Sequence, residues 1–268
     1  MTLSNKLVRC VEFQVMGIEE SGRNVMEKKT ATWVYGFVML LLGVASMPAR
    51  SAEELKKTDP IQVAVLVFPG VELLDFAGPA EVFIVSDYGK AFRVFTVAAS
   101  TDICRTMGNI GIKPDYRYAN APPADVVVVP GGATQNVNAA GVKWLRESSR
   151  RARITMSVCM GAFLMARAGL LDGIEATTHQ WGLASLKSAA PTCKVVDGRR
   201  FVDAGRVITT AGVTAGIDGA LHVVERLLGK PAAKWTAEEW MEYRRNSRVK
   251  PRHGKASAAD NKAPAEQE

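Results

Sequence analysis

Cys159 is the residue of this chain whose type and surroundings best suit covalent chemistry. It lies within Ile154–Gly169, where a short apolar run with β-branched residues passes into a run of good helix formers. A sharp turn from strand to helix places the turn side chain opposite the unpaired N–H groups of the helix start, which favour a thiolate over a thiol. We therefore expect Cys159 to be a nucleophile, and a buried structural cysteine is the alternative.

A thiolate that attacks carbon needs a group that gives or takes a proton and donors for the developing negative charge. Asp75 stands between apolar residues just before a predicted helix and is the candidate acid; a helix-capping carboxylate is the alternative. Gly131 and Gly132 follow a run of four valines and could present backbone N–H groups, although Pro-Gly-Gly can also be a turn and nothing more. The N–H of Met160 would be the second donor.

One histidine and the end of one further predicted strand complete the candidate site. His179 follows the cysteine by 20 residues and could polarise the thiol or orient a substrate, with simple packing as the alternative. Thr210 ends the later strand, and Ala211 and Gly212 follow it. With Gly131 and His179, these three residues are expected to belong to the substrate pocket.

Apolar runs and helical patterns alternate over about 180 residues of the chain. The predicted strands include residues 61–68, 92–98, 126–129, 154–158 and 206–210. One helix is predicted with Pro79 in its first turn and an end near Ser86, and the last helix is predicted to reach Leu228, with Asp218 as its N-cap. This alternation predicts a three-layer α/β sandwich of the flavodoxin-like kind, with a mostly parallel central sheet and helices on both faces. Ligands bind beyond the carboxyl ends of such strands, where Asp75, Cys159 and the two glycine-containing stretches fall.

The two ends of the chain differ in composition from the middle. Residues 26–52 combine a basic start, an apolar run and small residues near a candidate cleavage site, which is the layout of a secretory signal peptide. We therefore predict a leader over 1–52, a periplasmic or secreted protein and no membrane insertion after cleavage; a membrane anchor over 33–47 or a buried helix is the alternative. An α/β domain over 53–243 is predicted to be followed by a disordered basic tail over 244–268, with seven basic and three acidic residues.

Charge and cysteine usage argue against several other classes of protein. The net charge of +7 lies largely in the predicted tail, without stacking aromatic residues or a helix-turn-helix pattern, so we expect no nucleic-acid partner. The four cysteines form no CxxC pair, which argues against a zinc site and against a disulfide scaffold. Cys104 and Cys193 could still form one disulfide in an oxidising compartment.

Five stretches together resemble the ThiJ/PfpI superfamily, a class I glutamine-amidotransferase-like group that is also called the DJ-one superfamily. In chain order they are Leu74-Asp-Phe-Ala-Gly-Pro-Ala-Glu-Val-Phe83, Val129-Pro-Gly-Gly132, Ser157-Val-Cys-Met-Gly-Ala162, Ala176-Thr-Thr-His179 and Val207-Ile-Thr-Thr-Ala-Gly-Val-Thr-Ala-Gly-Ile-Asp218. Within the superfamily, the chain looks like the branch that holds isonitrile hydratase and the amino-terminal domains of some AraC-type regulators.

The resemblance implies a role for each candidate residue. Cys159 would be the nucleophile, Asp75 would hydrogen-bond its thiolate, His179 would lie beside the pocket, and Gly132 and Met160 would supply oxyanion-type donors. The resemblance also implies a homodimer that acts on a small molecule without a metal or cofactor. In the isonitrile branch, the thiolate adds to the terminal carbon, the carboxyl group protonates that carbon, and water then releases an N-substituted formamide.

Two departures from the family pattern bear on function. Met160 stands where isonitrile hydratases place threonine and the intracellular-protease branch places histidine, so a Cys-His protease dyad is not expected. The residues after Leu228 are too few for a helix-turn-helix module, so an AraC-type regulator is not expected either. The predicted function is therefore that of a cysteine-dependent hydro-lyase acting on an isonitrile. The alternatives are a glyoxalase- or deglycase-type enzyme on reactive carbonyls and a non-catalytic redox-sensing or ligand-binding protein.

Overall fold

Strands and helices alternate through residues 59–244, which are the residues that the computed structural model describes. The leader predicted over 1–52 and nearly all of the predicted tail lie outside the described residues. The strands are β1 (Ile61–Leu66), β2 (Phe92–Ala98), β3 (Cys104–Arg105), β4 (Gly111–Ile112), β5 (Tyr116–Arg117), β6 (Val126–Val129), β7 (Ile154–Val158), β8 (Glu175–Ala176), β9 (Lys194–Val195), β10 (Phe201–Asp203) and β11 (Val207–Thr210). The helices are α1 (Leu73–Gly89), α2 (Ala139–Arg151), α3 (Gly161–Arg167), α4 (Leu183–Ala189), α5 (Ala215–Leu228) and α6 (Lys230–Trp235), with shorter 3₁₀ turns at Thr134–Asn136 and Gln180–Gly182 and a π-helical turn at Thr236–Trp240.

A seven-stranded sheet in the order β10-β11-β7-β6-β1-β2-β5 carries the site. Neighbouring strands are parallel except for β10 and β11, which are antiparallel. The order places β6, β7 and β11 side by side, so that their carboxyl ends meet at one edge of the sheet. This arrangement confirms the predicted α/β sandwich with a mostly parallel central sheet.

Side chains of β1 alternate between the two faces of the sheet and so belong to two cores. Val63 and Val65 pack with residues of α1 and α5, whereas Ala64 and Leu66 pack with residues of α2, α3 and α4. All four side chains are fully buried, because helices cover both faces. Burial on both faces is the reason why the central strands read as nearly continuous apolar runs in the sequence.

The helix after β1 starts earlier than the sequence predicted. Proline is favoured in a first helical turn, yet α1 begins at Leu73 and Pro79 lies inside it. Because proline lacks an N–H, the carbonyl of Asp75 one turn earlier has no helical partner there. Since α1 begins at Leu73, Asp75 lies in its first turn instead of preceding the helix. The predicted end is confirmed, since the backbone leaves helical angles at Ser86, where ψ is 138°.

The two cysteines other than Cys159 within residues 59–244 are unpaired. Cys104 and Cys193 are free and buried, and they pack into different cores on opposite faces of the sheet. The disulfide that the sequence left open does not form between them. No helix within residues 59–244 has the length and apolar character that a membrane span requires. The same part of the chain contains no cluster of three or more His, Cys, Asp or Glu side chains suited to a metal ion.

Asp218 is not the N-cap that the sequence predicted. It is the fourth residue of α5, it is almost fully buried, and it forms an ion pair with Arg200, just before β10. Arg200 also donates to Thr214 Oγ1 at 3.2 Å, and its carbonyl accepts from the N–H of Ala211 at 2.8 Å. The pair therefore holds the segment between β11 and α5 in place. This contact joins residues 18 apart in sequence, so a capping pattern at one helix start could not reveal it.

Removal of the Arg200 charge should destabilise the fold. In Arg200→Met the free energy of unfolding should fall by about 3–5 kcal/mol, because the buried Asp218 carboxylate loses its charged partner and keeps only the Tyr243 side chain. Adding Asp218→Leu should recover most of this loss, since the unpaired charge is then gone. Urea titrations followed by circular dichroism measure both values.

The exposed pair of Lys194 and Glu175 is the matched control for this experiment. Its atoms are 2.5 Å apart, but both side chains are at least half exposed, so Lys194→Met should change the free energy of unfolding by less than about 1 kcal/mol. Equal losses in Arg200→Met and Lys194→Met would contradict the assigned importance of the buried pair.

Candidate active site

Cys159 occupies the turn between β7 and α3 in a left-handed backbone conformation, with φ at +55°. This region is unfavourable for a residue with a side chain, so the surrounding structure must hold it. The N–H of Cys159 donates to the carbonyls of Ala211 at 2.9 Å and Thr210 at 3.2 Å, and its own carbonyl accepts from Thr178 Oγ1 at 2.7 Å. These bonds fix the strand–helix elbow that the sequence predicted and direct the side chain toward the sheet's carboxyl edge.

Two glycines allow neighbouring backbone to approach the elbow closely. A Cβ added at Gly131 would lie 2.7 Å from Met160 N, 2.8 Å from Asp75 Oδ2 and 3.1 Å from Cys159 Cβ. A Cβ at Gly161 would overlap the carbonyl of Val129 at the end of β6. A side chain at either position would therefore separate the cysteine from the groups around it.

The Asp75 carboxyl is fully buried beside Cys159. Its Oδ2 accepts a hydrogen bond of 3.0 Å from Gly131 N, and its Oδ1 has no hydrogen-bond partner among the described residues. The pKa of Asp75 is raised from 3.8 to about 7, mainly because burial disfavours the charged form; the Gly131 bond opposes this effect and the nearby Glu72 adds to it. The side chain does not cap its own helix, so the capping alternative does not describe this residue.

The expectation that the helix start would favour a thiolate at Cys159 is wrong for this structure. The pKa of the thiol is raised to about 12, first by burial and then by the negative charge of Asp75. The N–H groups of Met160 and Val213 contact the sulfur and lower the pKa, but not enough to offset the other two effects. The resting group at neutral pH is therefore a thiol beside a carboxyl group that can accept its proton.

Val213 is the backbone donor that the sequence did not predict. Its φ of +39° is unusual for a β-branched residue and turns its N–H toward the cysteine. The stretch Gly-Val-Thr-Ala-Gly contains no pattern that marks the valine. Of the two donors that were predicted, the structure places the N–H of Met160 on the sulfur, whereas Gly132 lines the pocket without such a contact.

His179 lines the same pocket but does not bond to the cysteine. Its Nδ1 accepts from the N–H of Trp181 at 3.4 Å, and the Trp181 ring packs edge-on against it with centroids 4.8 Å apart. Burial lowers the pKa of His179, so the ring is neutral at pH 7. A Cβ at Gly212 would lie 2.8 Å from His179 Nε2, so this glycine makes room for the ring.

Thr210, which ends β11, and the two residues after it have different roles. Thr210 and Ala211 hold the elbow through their carbonyls, as described above, and the Thr210 side chain packs inward against Gly219 of α5. The expectation that Thr210 belongs to the substrate pocket is therefore wrong, because residues in a strand point alternately to opposite faces. Ala211 and Gly212 line a neighbouring polar pocket of about 570 Å³ that also includes His179.

A pocket of about 450 Å³ opens above Cys159, and most of its wall is apolar. Its lining residues come from six separate segments and are Glu72, Met107, Gly132, Ala133, Gln135, Cys159, Met160, His179, Trp181 and Val213. A volume of this size suits a small organic molecule. The arrangement can therefore bring a small electrophile to the sulfur, with a proton-carrying carboxyl group next to it.

The elbow cysteine and the buried carboxyl define an α/β protein with a potential nucleophile at the carboxyl edge of a parallel sheet. The chain belongs to the DJ-1/PfpI family, whose sequence profile matches residues 61–226. The resemblance seen in the five motifs is thereby confirmed.

Three similar proteins show the range of this family. Isonitrile hydratase from Pseudomonas putida is 32% identical over 179 residues, which cover 65% of this chain and 75% of that enzyme. The HTH-type transcriptional regulator GbdR from Pseudomonas aeruginosa is 28% identical over 177 residues, which cover 64% of this chain and 48% of the regulator. The crystal structure of a ThiJ/PfpI family protein from Pseudomonas syringae matches with a TM-score of 0.63 at 28% identity and covers 76% of this chain and 85% of that one. Similarity therefore reaches both an enzyme and a regulator.

Asp75→Asn should stabilise the folded protein at pH 8. The pKa of Asp75 is about 7 in the folded protein against an ordinary value of 3.8, so folding favours the protonated carboxyl. The stability that this proton gives the wild type is complete below about pH 4 and is lost as the pH rises through 7. An amide has no proton to lose, so the variant should exceed the wild type by about 2–4 kcal/mol in the free energy of unfolding at pH 8 and by little at pH 4.

Urea titrations at the two pH values measure this difference, with the exposed Asp102→Asn as control. The control variant should show no pH-dependent gain. An Asp75→Asn variant that is less stable than the wild type at pH 8 would show that burial of the Asp75 carboxylate does not destabilise the folded protein.

Proposed function

We propose that this protein is a hydro-lyase that converts an isonitrile into an N-substituted formamide. The observation that supports it most is the meeting of the Cys159 sulfur, the Asp75 carboxyl and the N–H groups of Met160 and Val213 at one end of a small apolar pocket. The similarity to isonitrile hydratase supports the same chemistry. Each step of the reaction can be assigned to one of these groups.

The first step joins the Cys159 sulfur to the terminal carbon of the isonitrile. The thiol gives its proton to the Asp75 carboxylate as the sulfur attacks, and the carbon then takes that proton from the carboxyl group. The product is a thioimidate, bound to the cysteine through a new C–S bond. A carboxyl with a pKa of about 7 suits both transfers, since each of its protonation states is well populated at neutral pH. A raised thiol pKa is compatible with this step, because the proton leaves during the attack.

The second step consumes water and regenerates the thiol. The Asp75 carboxylate takes a proton from the attacking water and passes it to the nitrogen, which gives a tetrahedral intermediate. This intermediate collapses to the formamide as its hydroxyl proton leaves and the C–S bond breaks. The N–H groups of Met160 and Val213 contact the sulfur and stabilise the negative charge that develops on it as it departs.

The redox-sensing alternative has less support in the geometry. Sensor cysteines combine a lowered pKa with solvent access, whereas Cys159 is 9% exposed and its pKa is raised. A glyoxalase- or deglycase-type reaction of reactive carbonyls would use the same nucleophile, and no feature of the pocket favours it over isonitrile hydration. Parallel assays with methylglyoxal therefore accompany the isonitrile experiment.

Cys159→Ala should abolish formamide release from cyclohexyl isocyanide, with a loss of at least about a thousandfold, because no other group can form the thioimidate. Asp75→Asn should lower the turnover by about a hundredfold or more, since the proton relay is lost while binding remains. Gas chromatography of N-cyclohexylformamide measures both. Cys193→Ala, which removes a cysteine from a different part of the core, is the control and should keep its turnover.

The outcomes separate the reaction from the nucleophile. A wild-type protein that releases no formamide rules out isonitrile hydration for this chain. Formamide release that persists in Cys159→Ala rules out the cysteine as the attacking group. Turnover of methylglyoxal without turnover of the isonitrile would assign the site to carbonyl chemistry instead.

We further propose that the protein is exported and forms a homodimer. Export is supported by the signal-peptide layout of residues 26–52, and dimerisation by the resemblance to the superfamily. Mass spectrometry of the purified periplasmic protein should give an amino terminus near Ala52, and sedimentation should give twice the mass of the processed chain. A protein that stays in the membrane fraction at full length would favour an uncleaved anchor.

A further inference from the structure

Glu72 places a half-buried carboxylate on the wall of the pocket above Cys159. It is the N-cap of α1, but its side chain forms no capping hydrogen bond, and glutamate is not a residue that this position favours. No ion pair among the described residues includes it. The helix dipole favours a carboxylate at this end by only about 0.3–1 kcal/mol, and its position on the pocket wall suggests a further role.

Among the described residues, the rest of the pocket wall contains no lysine or arginine, and its one histidine, His179, is neutral at pH 7. Its mouth carries two large apolar side chains that are open to solvent, Met107 at 64% and Trp181 at 84% exposure. The Trp181 ring packs edge-on against His179. An exposed indole beside a carboxylate is an arrangement that recognises apolar groups and organic cations.

We propose that the pocket selects electrophiles whose substituent is apolar and carries no negative charge, with a positive charge favoured, and that Glu72 and Trp181 determine this preference. The Glu72 carboxylate repels anions and attracts cations, while Trp181 covers apolar surface. The inference rests on the proposed function for the reaction that follows, but the preference itself can be measured directly on Cys159.

Methanethiosulfonate reagents test the charge preference without any need for enzymatic turnover. In each reaction the Cys159 thiolate attacks the reagent's sulfenyl sulfur, a disulfide forms and methanesulfinate leaves. The trimethylammonium-ethyl reagent is a cation and the sulfonatoethyl reagent an anion of similar size. The measured quantity is the rate of the cation divided by the rate of the anion at Cys159, relative to the same ratio for a free thiol. This charge ratio reports how strongly the pocket prefers a cation. Glu72→Gln should lower this ratio by about tenfold, because a cation loses an attraction and an anion loses a repulsion.

The ratio cancels any change in the fraction of thiolate, because that change affects both reagents equally. Loss of the Glu72 charge also lowers the pKa of Asp75, so the rates are compared at pH 9, where the Asp75 carboxyl is ionised in both proteins. Glu81→Gln removes the same charge from an exposed position on α1 outside the pocket lining and is the matched control. Intact-mass measurements with Cys159→Ser as background assign the modification to this cysteine.

A second pair of variants tests the apolar wall. Trp181→Ala should reduce the rate advantage of the benzyl over the methyl reagent by about fivefold, since the ring no longer covers the phenyl group. Trp240→Ala, which removes an exposed tryptophan that does not line the pocket, should leave this advantage unchanged.

The results distinguish this inference from the proposed function. A charge ratio that is the same in Glu72→Gln and the wild type, or that falls equally in Glu81→Gln, overturns the assignment of Glu72. A benzyl advantage that survives Trp181→Ala overturns the assignment of Trp181. If the ratio falls as expected but no formamide is released from any isonitrile, the selectivity stands and the proposed reaction fails.

Discussion

The left-handed backbone of Cys159 is the constraint on which the site depends. A residue with a side chain adopts this conformation only where other bonds hold it, and here the bonds come from both sides of the elbow. The end of β11 accepts the cysteine's N–H, and Thr178 donates to its carbonyl. The buried Arg200–Asp218 pair in turn anchors the segment that follows β11. Contacts far from the sulfur therefore determine where it points.

Burial of two acidic groups next to each other sets the chemistry of the site. Desolvation raises the pKa of the Asp75 carboxyl to about 7 and that of the Cys159 thiol to about 12, and the charge of Asp75 further opposes ionisation of the thiol, whereas the hydrogen bond from Cys159 favours ionisation of Asp75. The carboxyl therefore keeps part of the proton population that it would lose in water at neutral pH, and the thiol stays protonated beside it. Such a pair is suited to moving a proton during a reaction, and it costs the fold some stability, as functional sites commonly do.

The nucleophile and the selectivity belong to different parts of the architecture. Cys159 and the backbone around it are held by the carboxyl ends of β6, β7 and β11, which packing against helices makes rigid. The side chains that a substrate would meet come from turns and helix ends, including Glu72, Met107 and Trp181. Loops can change with little effect on the sheet, so related proteins can keep the elbow and differ in the side chains around it.

The sequence by itself determined the parallel sheet, the bounds of β2 and β7, the elbow at Cys159 and the carboxyl group beside it. These features follow from apolar runs, from turn residues and from the rule that strand ends meet at one edge of a sheet, all of which are local or topological. Only the tertiary structure decided the start of α1, the inward side chain of Thr210, the donor at Val213, the ion pair of Asp218 and the raised pKa of the thiol. Each of these depends on how closely segments distant in sequence approach one another. That approach sets desolvation and hydrogen bonding, which residue spacing along the chain does not encode.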